Sequence, residues 1–248
     1  MKNKTFDTVI ILTACINPNG MSETVLQNSD IRLQQYLKAL NFYLCNTDLP
    51  IIFIENTNYD ITGYFPNEVN NGRLEILTFN GNDFDKSKGK GYGEAIILQH
   101  AIQNSKLIKH AKRVIKITGR IIVKNIKQLI NCSKKTNTIY ANLAQTNSKE
   151  YILASIFFIV PIHFLNDYFL MNKEIIDDSK NYYFEHLLYD QCKRWVNHGN
   201  DWKEYMIPIY LEGQSGTTGD HYKNKPYIYS YIVSFIKYWI HKSKIPQL

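Results

Sequence analysis

The chain has 248 residues, 44% of them hydrophobic, and carries a formal net charge of +7. This length suits one α/β domain, with or without an extension, and the apolar content excludes wholesale disorder. Four cysteines lie far apart without a C-x-x-C pair, which argues against a zinc knuckle, a redox dithiol and a disulfide framework. The positive charge favours acidic partners, namely phosphates, nucleic acid or an anionic membrane face.

The first predicted element is a buried strand over residues 8–14 (TVIILTA), which leads into the loop CINPNGMSET. The apolar run is short and is broken by polar residues and Pro18, so it predicts a strand rather than a secretion signal. No run of about 18 apolar residues occurs in the sequence, so we predict no membrane span. The expected compartment is the cytoplasm.

Helical spacing of apolar residues predicts a helix over residues 29–44, with Ser29 or Asp30 as its N-cap. Two buried strands follow, PIIFIEN at residues 50–56 and LEILTF at residues 74–79. Three alternate glycines at positions 89, 91 and 93 then open a second helical pattern. The expected apolar face of this helix consists of Ala95, Ile96, Leu98, Ile102 and Leu107.

A fourth strand, residues 113–117, ends at the corner Thr118-Gly119-Arg120. Strands and helices therefore alternate through the first half, which predicts an α/β fold with a mostly parallel sheet and right-handed crossovers. Ligands of such sheets bind outside the carboxyl ends of the strands. Here those ends carry residues 13–18, 55–56 and 118–120.

The second half predicts strands at residues 138–143, 152–160 and 206–210, and helices at 163–171 and 182–196. A polar loop, EGQSGTTGDHY, follows. The tail over residues 226–244 is aromatic and aliphatic, with lysines and no acidic residue. We expect a catalytic domain over residues 1–222 and a basic, aromatic helical tail over 223–248.

The order of these elements resembles the GT-A nucleotide-sugar glycosyltransferases, over roughly residues 7–222. TACINP, IFIENT and GKGYGEAIILQHAI match the first strand end, the second strand end and the glycine-opened helix of that fold. More narrowly, the chain looks like small bacterial glycosyltransferase-like proteins from capsule and lipopolysaccharide loci, which carry a K-x-T-G-R strand end and a later G-x-S-G-T loop. The resemblance implies a Rossmann-like sheet with a C-terminal helical extension and transfer of a sugar from a nucleotide-sugar donor to a glycan or lipid-linked acceptor.

The chain departs from that family where the metal-binding D-x-D belongs, because Ile117-Thr118-Gly119-Arg120 occupies the position. The one Asp-x-Asp, Asp83-Phe84-Asp85, precedes the glycine loop. Arg120 would then neutralise the departing diphosphate, since a guanidinium donates bidentate hydrogen bonds to phosphate. The alternative is a surface residue after a turn, or a partner of a core carboxylate. A metal-independent enzyme is favoured, with Mn or Mg as the other option.

Further nucleotide and phosphate contacts are expected from the strand ends and two glycine-bearing loops. The strand ends supply Thr13, Asn17, Glu55, Asn56, Thr118 and Gly119. The glycine loop supplies Lys88, Gly89, Lys90 and Gly91, although its glycines also suit close packing of the helix on the sheet. The later loop supplies Ser215, Gly216, Thr217 and His221, either as a diphosphate-binding lid or as a plain surface loop. Glu94 is expected to complement the N-terminus of the helix, with a role in the site as the alternative.

A general base for the acceptor hydroxyl is expected in the segment DDSKNYYFEHLLYD, as in inverting GT-A enzymes. Glu185 is the first candidate and Asp178 the second. The alternative places Glu185 on the solvent side of an amphipathic helix.

The tail over residues 226–244 suits an anionic membrane surface, since Trp and Tyr favour the interface and Lys the headgroups. Packing on the domain or a homodimer are the alternatives. Two other function classes remain open: a nucleotidyltransferase, which usually needs acidic metal ligands, and an RNA-binding module. No nucleic acid is expected as a partner, because the lysines are scattered and no recognised RNA-binding motif occurs.

Overall fold

The computed structural model describes residues 6–21, 24–216 and 218–241. A seven-stranded mixed sheet forms its centre. Its strands are β1 (Thr8–Ala14), β2 (Ile51–Glu55), β3 (Leu74–Thr78), β4 (Arg113–Thr118), β6 (Thr138–Tyr140), β9 (Phe157–Pro161) and β10 (Asp201–Lys203). Two short antiparallel ribbons pair β5 (Ile122–Val123) with β11 (Leu211–Glu212), and β7 (Leu143–Gln145) with β8 (Tyr151–Leu153).

The helices are α1 (Ser29–Asn46), α2 (Pro66–Asn70), α3 (Gly89–Asn104), α4 (Ile126–Cys132), α5 (Phe184–Asn197) and α6 (Tyr227–His241). The helix predicted over residues 163–171 is instead a π-helical turn, Phe164–Phe169, that runs into the 3-10 turn Leu170–Ile175.

The strand order across the sheet is β10-β6-β9-β4-β1-β2-β3. All neighbouring pairs are parallel except the two that β9 makes, with β4 and with β6. A mostly parallel sheet flanked by helices confirms the predicted fold class. The strands of its centre are buried on both faces, which explains their continuous β-branched and aliphatic runs.

Alternate residues of β1 face two separate cores. Ile10 and Leu12 pack with the buried face of α1, whereas Val9 and Ile11 pack with α3 and α5. The sheet therefore has an α1 side and an α3/α5 side, and a site at its carboxyl edge can receive side chains from both. On α3, Ile97 and Ala101 are buried, whereas the predicted face residues Ile96 and Ile102 are half-buried.

Four further sequence-based predictions of local structure were wrong. The strand predicted over residues 138–143 ends at Tyr140, and the one predicted over residues 152–160 is divided into β8 and β9. The N-cap of α1 is Asn28, whose side chain accepts a hydrogen bond from the Ile31 N–H, rather than Ser29 or Asp30. Residues 206–210 form no strand, because Pro208 lacks an N–H and the Asn125 side chain bonds the carbonyl of Pro208 and the N–H of Tyr210.

The hydroxyl of Tyr43, a fully buried residue of α1, holds the segment after β4. It donates to the Ile121 carbonyl at 2.8 Å and accepts from the Val123 N–H at 2.9 Å. This segment directly follows Arg120, so Tyr43 fixes the corner at which β4 ends.

We expect Tyr43→Phe to lower the free energy of unfolding by about 1–3 kcal/mol, because two buried backbone groups lose their partner. Urea denaturation measures the change. Tyr64→Phe is the matched control, since Tyr64 is exposed and no hydrogen bond of its hydroxyl is seen in the described residues. Equal stability of the two variants would contradict the role of the Tyr43 hydroxyl.

Candidate active site

A cavity of about 290 Å³ lies at the carboxyl ends of β1, β2 and β4. Thr13 and Thr118 line it as register partners on β1 and β4, and Asn56 lines it as the residue that follows β2. Because parallel strands deliver their carboxyl ends to one edge, this is where a ligand is expected in such a sheet.

Ten of the residues predicted from the sequence line the cavity. They are Thr13, Asn56, Lys90, Gly91, Thr118, Arg120, Asp178, Glu185, Ser215 and Gly216. Six others do not line it: Asn17, Glu55, Lys88, Gly89, Gly119 and His221. Thr217 lies outside the described residues.

Arg120 is a buried guanidinium in the wall of this cavity, 7% exposed. It donates to the Gln214 carbonyl in the loop after β11, and no carboxylate of the described residues forms an ion pair with it. Burial lowers the pKa of Arg120 from its usual value, yet a guanidinium remains charged. A buried cation without an ion-pair partner is costly, and an anionic ligand would relieve that cost.

Gly216 makes room for this side chain. A Cβ at position 216 would lie 2.5 Å from Arg120 Nη2, closer than carbon and nitrogen can approach. With any other residue at position 216 the guanidinium would have to shift, so the glycine permits its observed position. Ser215 and Tyr222 of the same loop also line the cavity.

A second buried guanidinium, Arg32 of α1, also lines the cavity and was not singled out in the sequence. It donates to the carbonyls of Cys15 and Leu26 and to the Tyr36 hydroxyl, at 2.8, 3.2 and 3.2 Å. No carboxylate of the described chain pairs with it either. Two cations thus reach the cavity from the α1 side of the sheet.

The carboxylates reach the cavity from elements on the α3/α5 side. Glu185, the second residue of α5, accepts a hydrogen bond from Ser155 Oγ at 2.5 Å. Glu94 of α3 accepts one from Thr13 Oγ1 at 2.7 Å. Glu94 lies in the second turn of α3, so its expected role at the helix N-terminus was wrong.

Lys116 of β4 joins these groups beneath the cavity. Its fully buried ammonium contacts Glu94 Oε1 at 2.6 Å, the Ser155 carbonyl at 2.6 Å and Thr118 Oγ1 at 3.2 Å. All three donors of the ammonium are therefore used. Lys116 fixes Thr118, Glu94 and the segment that carries Ser155, the partner of Glu185.

The glycine loop packs against the protein rather than against open space. Gly89 has a φ of 77°, and a Cβ there would lie 1.8 Å from Asp178 Oδ2. A Cβ on Gly91 would lie 3.1 Å from the Phe184 backbone nitrogen. Lys88 pairs with Glu174 at 2.9 Å, outside the cavity. These glycines thus serve close packing, the alternative recognised in the sequence, and Asp178 lies against the first turn of α3.

Glu55 holds two loops together. Its buried carboxylate accepts hydrogen bonds from the N–H groups of Ile16, Thr57 and Tyr59, each at 2.8 Å. It thus fixes the segments after β1 and β2, which border the cavity, without lining the cavity itself. Asn56 lines the cavity itself, and no partner of its buried Oδ1 is seen among the described residues.

The remaining predicted residues have backbone roles. The Asn17 N–H bonds Thr57 Oγ1 at 3.3 Å. The Gly119 N–H bonds the Thr13 carbonyl at 2.9 Å, and a Cβ at Gly119 would lie 2.7 Å from that oxygen. His221 pairs with Gln214 in an isolated bridge.

A divalent cation does not fit the end of β4. Thr118 Oγ1 already accepts a hydrogen bond from Lys116, and Arg120 offers donors where Mn²⁺ or Mg²⁺ needs oxygen ligands. Within residues 6–21, 24–216 and 218–241, no group of three His, Cys, Asp or Glu side chains could hold a metal ion.

We expect Lys116→Met to lower the free energy of unfolding by about 3 kcal/mol, since it removes the cation paired with Glu94 and the donor to the Ser155 carbonyl. Chemical denaturation measures the loss. Lys112→Met removes an exposed lysine paired with Asp7 and should change stability by no more than about 0.5 kcal/mol. A Lys116→Met variant as stable as Lys112→Met would show that the buried ion pair contributes nothing.

Three solved transferases resemble this chain in structure. The inositol-1-phosphate CTP transferase from T. maritima is 8% identical, with 93% of this chain and 96% of that chain covered and a TM-score of 0.50. The mannosyltransferase Ktr4p from S. cerevisiae in complex with GDP is 10% identical, with coverages of 92% and 81% and a TM-score of 0.49.

A putative nucleotide-diphospho-sugar transferase from Desulfovibrio desulfuricans G20 is 10% identical, with both chains 97% covered and a TM-score of 0.47. No protein-family model and no curated protein matches the sequence. At 8% identity the similarity to the T. maritima protein shows the fold alone, a mostly parallel sheet flanked by helices.

Proposed function

We propose that this protein is a glycosyltransferase that moves a sugar from a nucleotide-sugar donor to a glycan or lipid-linked acceptor in bacterial surface polysaccharide synthesis of the capsule or lipopolysaccharide type. The observation that carries the proposal is the pair of buried guanidiniums, Arg120 and Arg32, that line one cavity without a carboxylate partner in the described chain. A diphosphate supplies the negative charge that both lack. We propose a cytoplasmic location, at the inner face of the cell membrane.

In this proposal the diphosphate lies toward Arg120 and the loop of Ser215 and Gly216. Asn56, at the end of β2, faces the base or ribose, where its amide oxygen, which has no partner among the described residues, accepts a hydrogen bond. Thr13, Thr118, Lys90 and Gly91 complete the donor site.

Glu185 is the proposed general base. The acceptor hydroxyl attacks the anomeric carbon, the bond from that carbon to the diphosphate oxygen breaks, and the hydroxyl proton passes to Glu185. Arg120 stabilises the charge that develops on the departing diphosphate, without a metal ion. Asp178 is the weaker candidate, because its carboxylate lies against Gly89 and Gly91.

A nucleotidyltransferase is the second candidate, because the T. maritima CTP transferase matches this fold over nearly its full length. The two reactions differ in the bond that breaks, anomeric carbon to oxygen or phosphorus to oxygen.

A thermal-shift panel of nucleotides, sugar phosphates and nucleotide sugars, each with Mn²⁺ or with EDTA, tests substrate class and metal dependence together. Stabilisation by nucleotide sugars in EDTA supports the proposal, and stabilisation only with Mn²⁺ contradicts the metal-free part.

We expect Arg120→Ala to lower kcat by about 10²–10³-fold, the usual effect of losing one donor to a developing anion. The circular dichroism spectrum should stay unchanged. Arg194→Ala is the control, because Arg194 is exposed on α5 and bonds only Gln191 in the described residues. Transfer by the Arg120→Ala enzyme at the wild-type rate would contradict the proposed role of Arg120.

We expect Glu185→Gln to lower kcat by about 10²–10⁴-fold while nucleotide affinity stays unchanged, because the amide cannot take the acceptor proton. Steady-state transfer assays and nucleotide titrations separate the two effects. Glu150→Gln, an exposed carboxylate outside the cavity, is the control. A Glu185→Gln enzyme with a normal kcat would assign the base to another residue.

A further inference from the structure

The last helix, α6, carries an apolar stripe that the described domain leaves uncovered. Its stripe residues recur at helical spacing and are each 49–74% exposed. They are Ile228, Ile232, Phe235, Ile236, Trp239 and Ile240. No residue of α6 is buried within the described part of the chain. A contiguous apolar surface of this kind marks an interaction site.

Both ends of α6 are attached to the domain, which keeps the helix in a defined position. At its start, the Tyr227 ring stacks on Tyr210 with centroids 5.8 Å apart. At its end, His241 Nδ1 contacts the buried carboxylate of Glu204 at 2.8 Å. Both ends of α6 thus contact the domain, and the stripe lies between these contacts.

The lysines and aromatic residues around the stripe indicate which kind of partner it binds. Residues 223–248 contain no Asp or Glu and five lysines, at positions 223, 225, 237, 242 and 244. The helix also carries five Tyr and Trp residues, at positions 227, 229, 231, 238 and 239. Aromatic rings with one polar end favour the lipid headgroup region, and lysines favour anionic headgroups. An anionic lipid surface matches both properties.

The length of α6 determines how it meets a membrane. Its 15 residues extend for about 22 Å, less than the roughly 30 Å of a hydrocarbon core. Among the described residues, no helix is both long and apolar enough to cross a bilayer. The apolar side of α6 would therefore lie in the plane of the interface.

A second copy of the chain fits this surface less well. One helix about 22 Å long and roughly 10 Å wide offers a few hundred Å², whereas a stable interface takes about 800 Å² from each partner. Lysine is also depleted in the cores of protein interfaces, and Lys237 lies within this helix.

We propose that α6 is a membrane-docking helix, which binds anionic lipid headgroups flat along its stripe of Ile228, Ile232, Phe235, Ile236, Trp239 and Ile240. The loop that supplies Ser215 and Gly216 to the cavity precedes α6 directly in the chain. The lipid contact does not depend on which reaction the cavity performs.

Flotation of the full chain with vesicles tests the docking. Wild-type protein should float with phosphatidylcholine vesicles that contain phosphatidylglycerol, and much less with phosphatidylcholine alone. Ile236→Asp should weaken binding at least about tenfold, because it puts a charge on the lipid side. Met171→Asp, which adds the same charge at an exposed apolar residue away from α6, should bind as wild type. Lys237→Gln should weaken binding to the anionic vesicles about fivefold.

Two results would overturn the proposal. The first is wild-type protein that does not float with anionic vesicles, or an Ile236→Asp variant that floats equally well. The second is sedimentation of the wild type as a dimer that Ile236→Asp dissociates, without vesicle binding, which would assign the stripe to a second copy. Matching melting temperatures of the two Asp variants exclude unfolding as the cause of lost binding.

Discussion

The buried ammonium of Lys116 is the interaction on which the candidate site depends. Its three contacts join β4, α3 and the segment before β9. A charge at the centre of a sheet is tolerated only when every donor is satisfied. The positions of Glu94, Thr118 and Ser155 are therefore coupled, and Ser155 carries the coupling on to Glu185. If any of these elements moved, a buried charge would lose its partner. The buried contacts therefore favour one rigid arrangement.

The sequence predicted the parallel half of the sheet well, because buried β-branched runs and the helical patterns between them reflect the fold directly. It failed where side chains replace regular pairing, as when Asn125 bonds the backbone around Pro208. Within the site, Arg120 and Glu185 could be predicted because Arg120 follows the end of a strand and Glu185 lies at the start of a helix, and both boundaries are recognisable in the sequence. Arg32 and Lys116 could not, since a charged residue inside a helix or strand has the same local pattern whether it faces solvent or a cavity.

An arginine at the end of β4 requires a particular structure in a part of the chain that is distant in sequence. A metal ion would need carboxylate ligands nearby, whereas the guanidinium needs space and one carbonyl to orient it. Gly216 provides the space and Gln214 the carbonyl, both from the loop after β11. The glycine corner of β4 and the glycine loop near residue 216, which look like two separate motifs in the sequence, thus form one structural unit.

The contact between Arg120 and Gln214 joins residues 94 positions apart, and this separation has a consequence for biosynthesis. N-terminal segments fold first as a chain leaves the ribosome, so β1 to β4 can pair before residues 213–222 exist. Until then the guanidinium has no carbonyl to orient it and the cavity has no wall on that side. A ligand that needs this wall can therefore stabilise only the chain that has been made this far, and cannot assist the folding of its nascent first half.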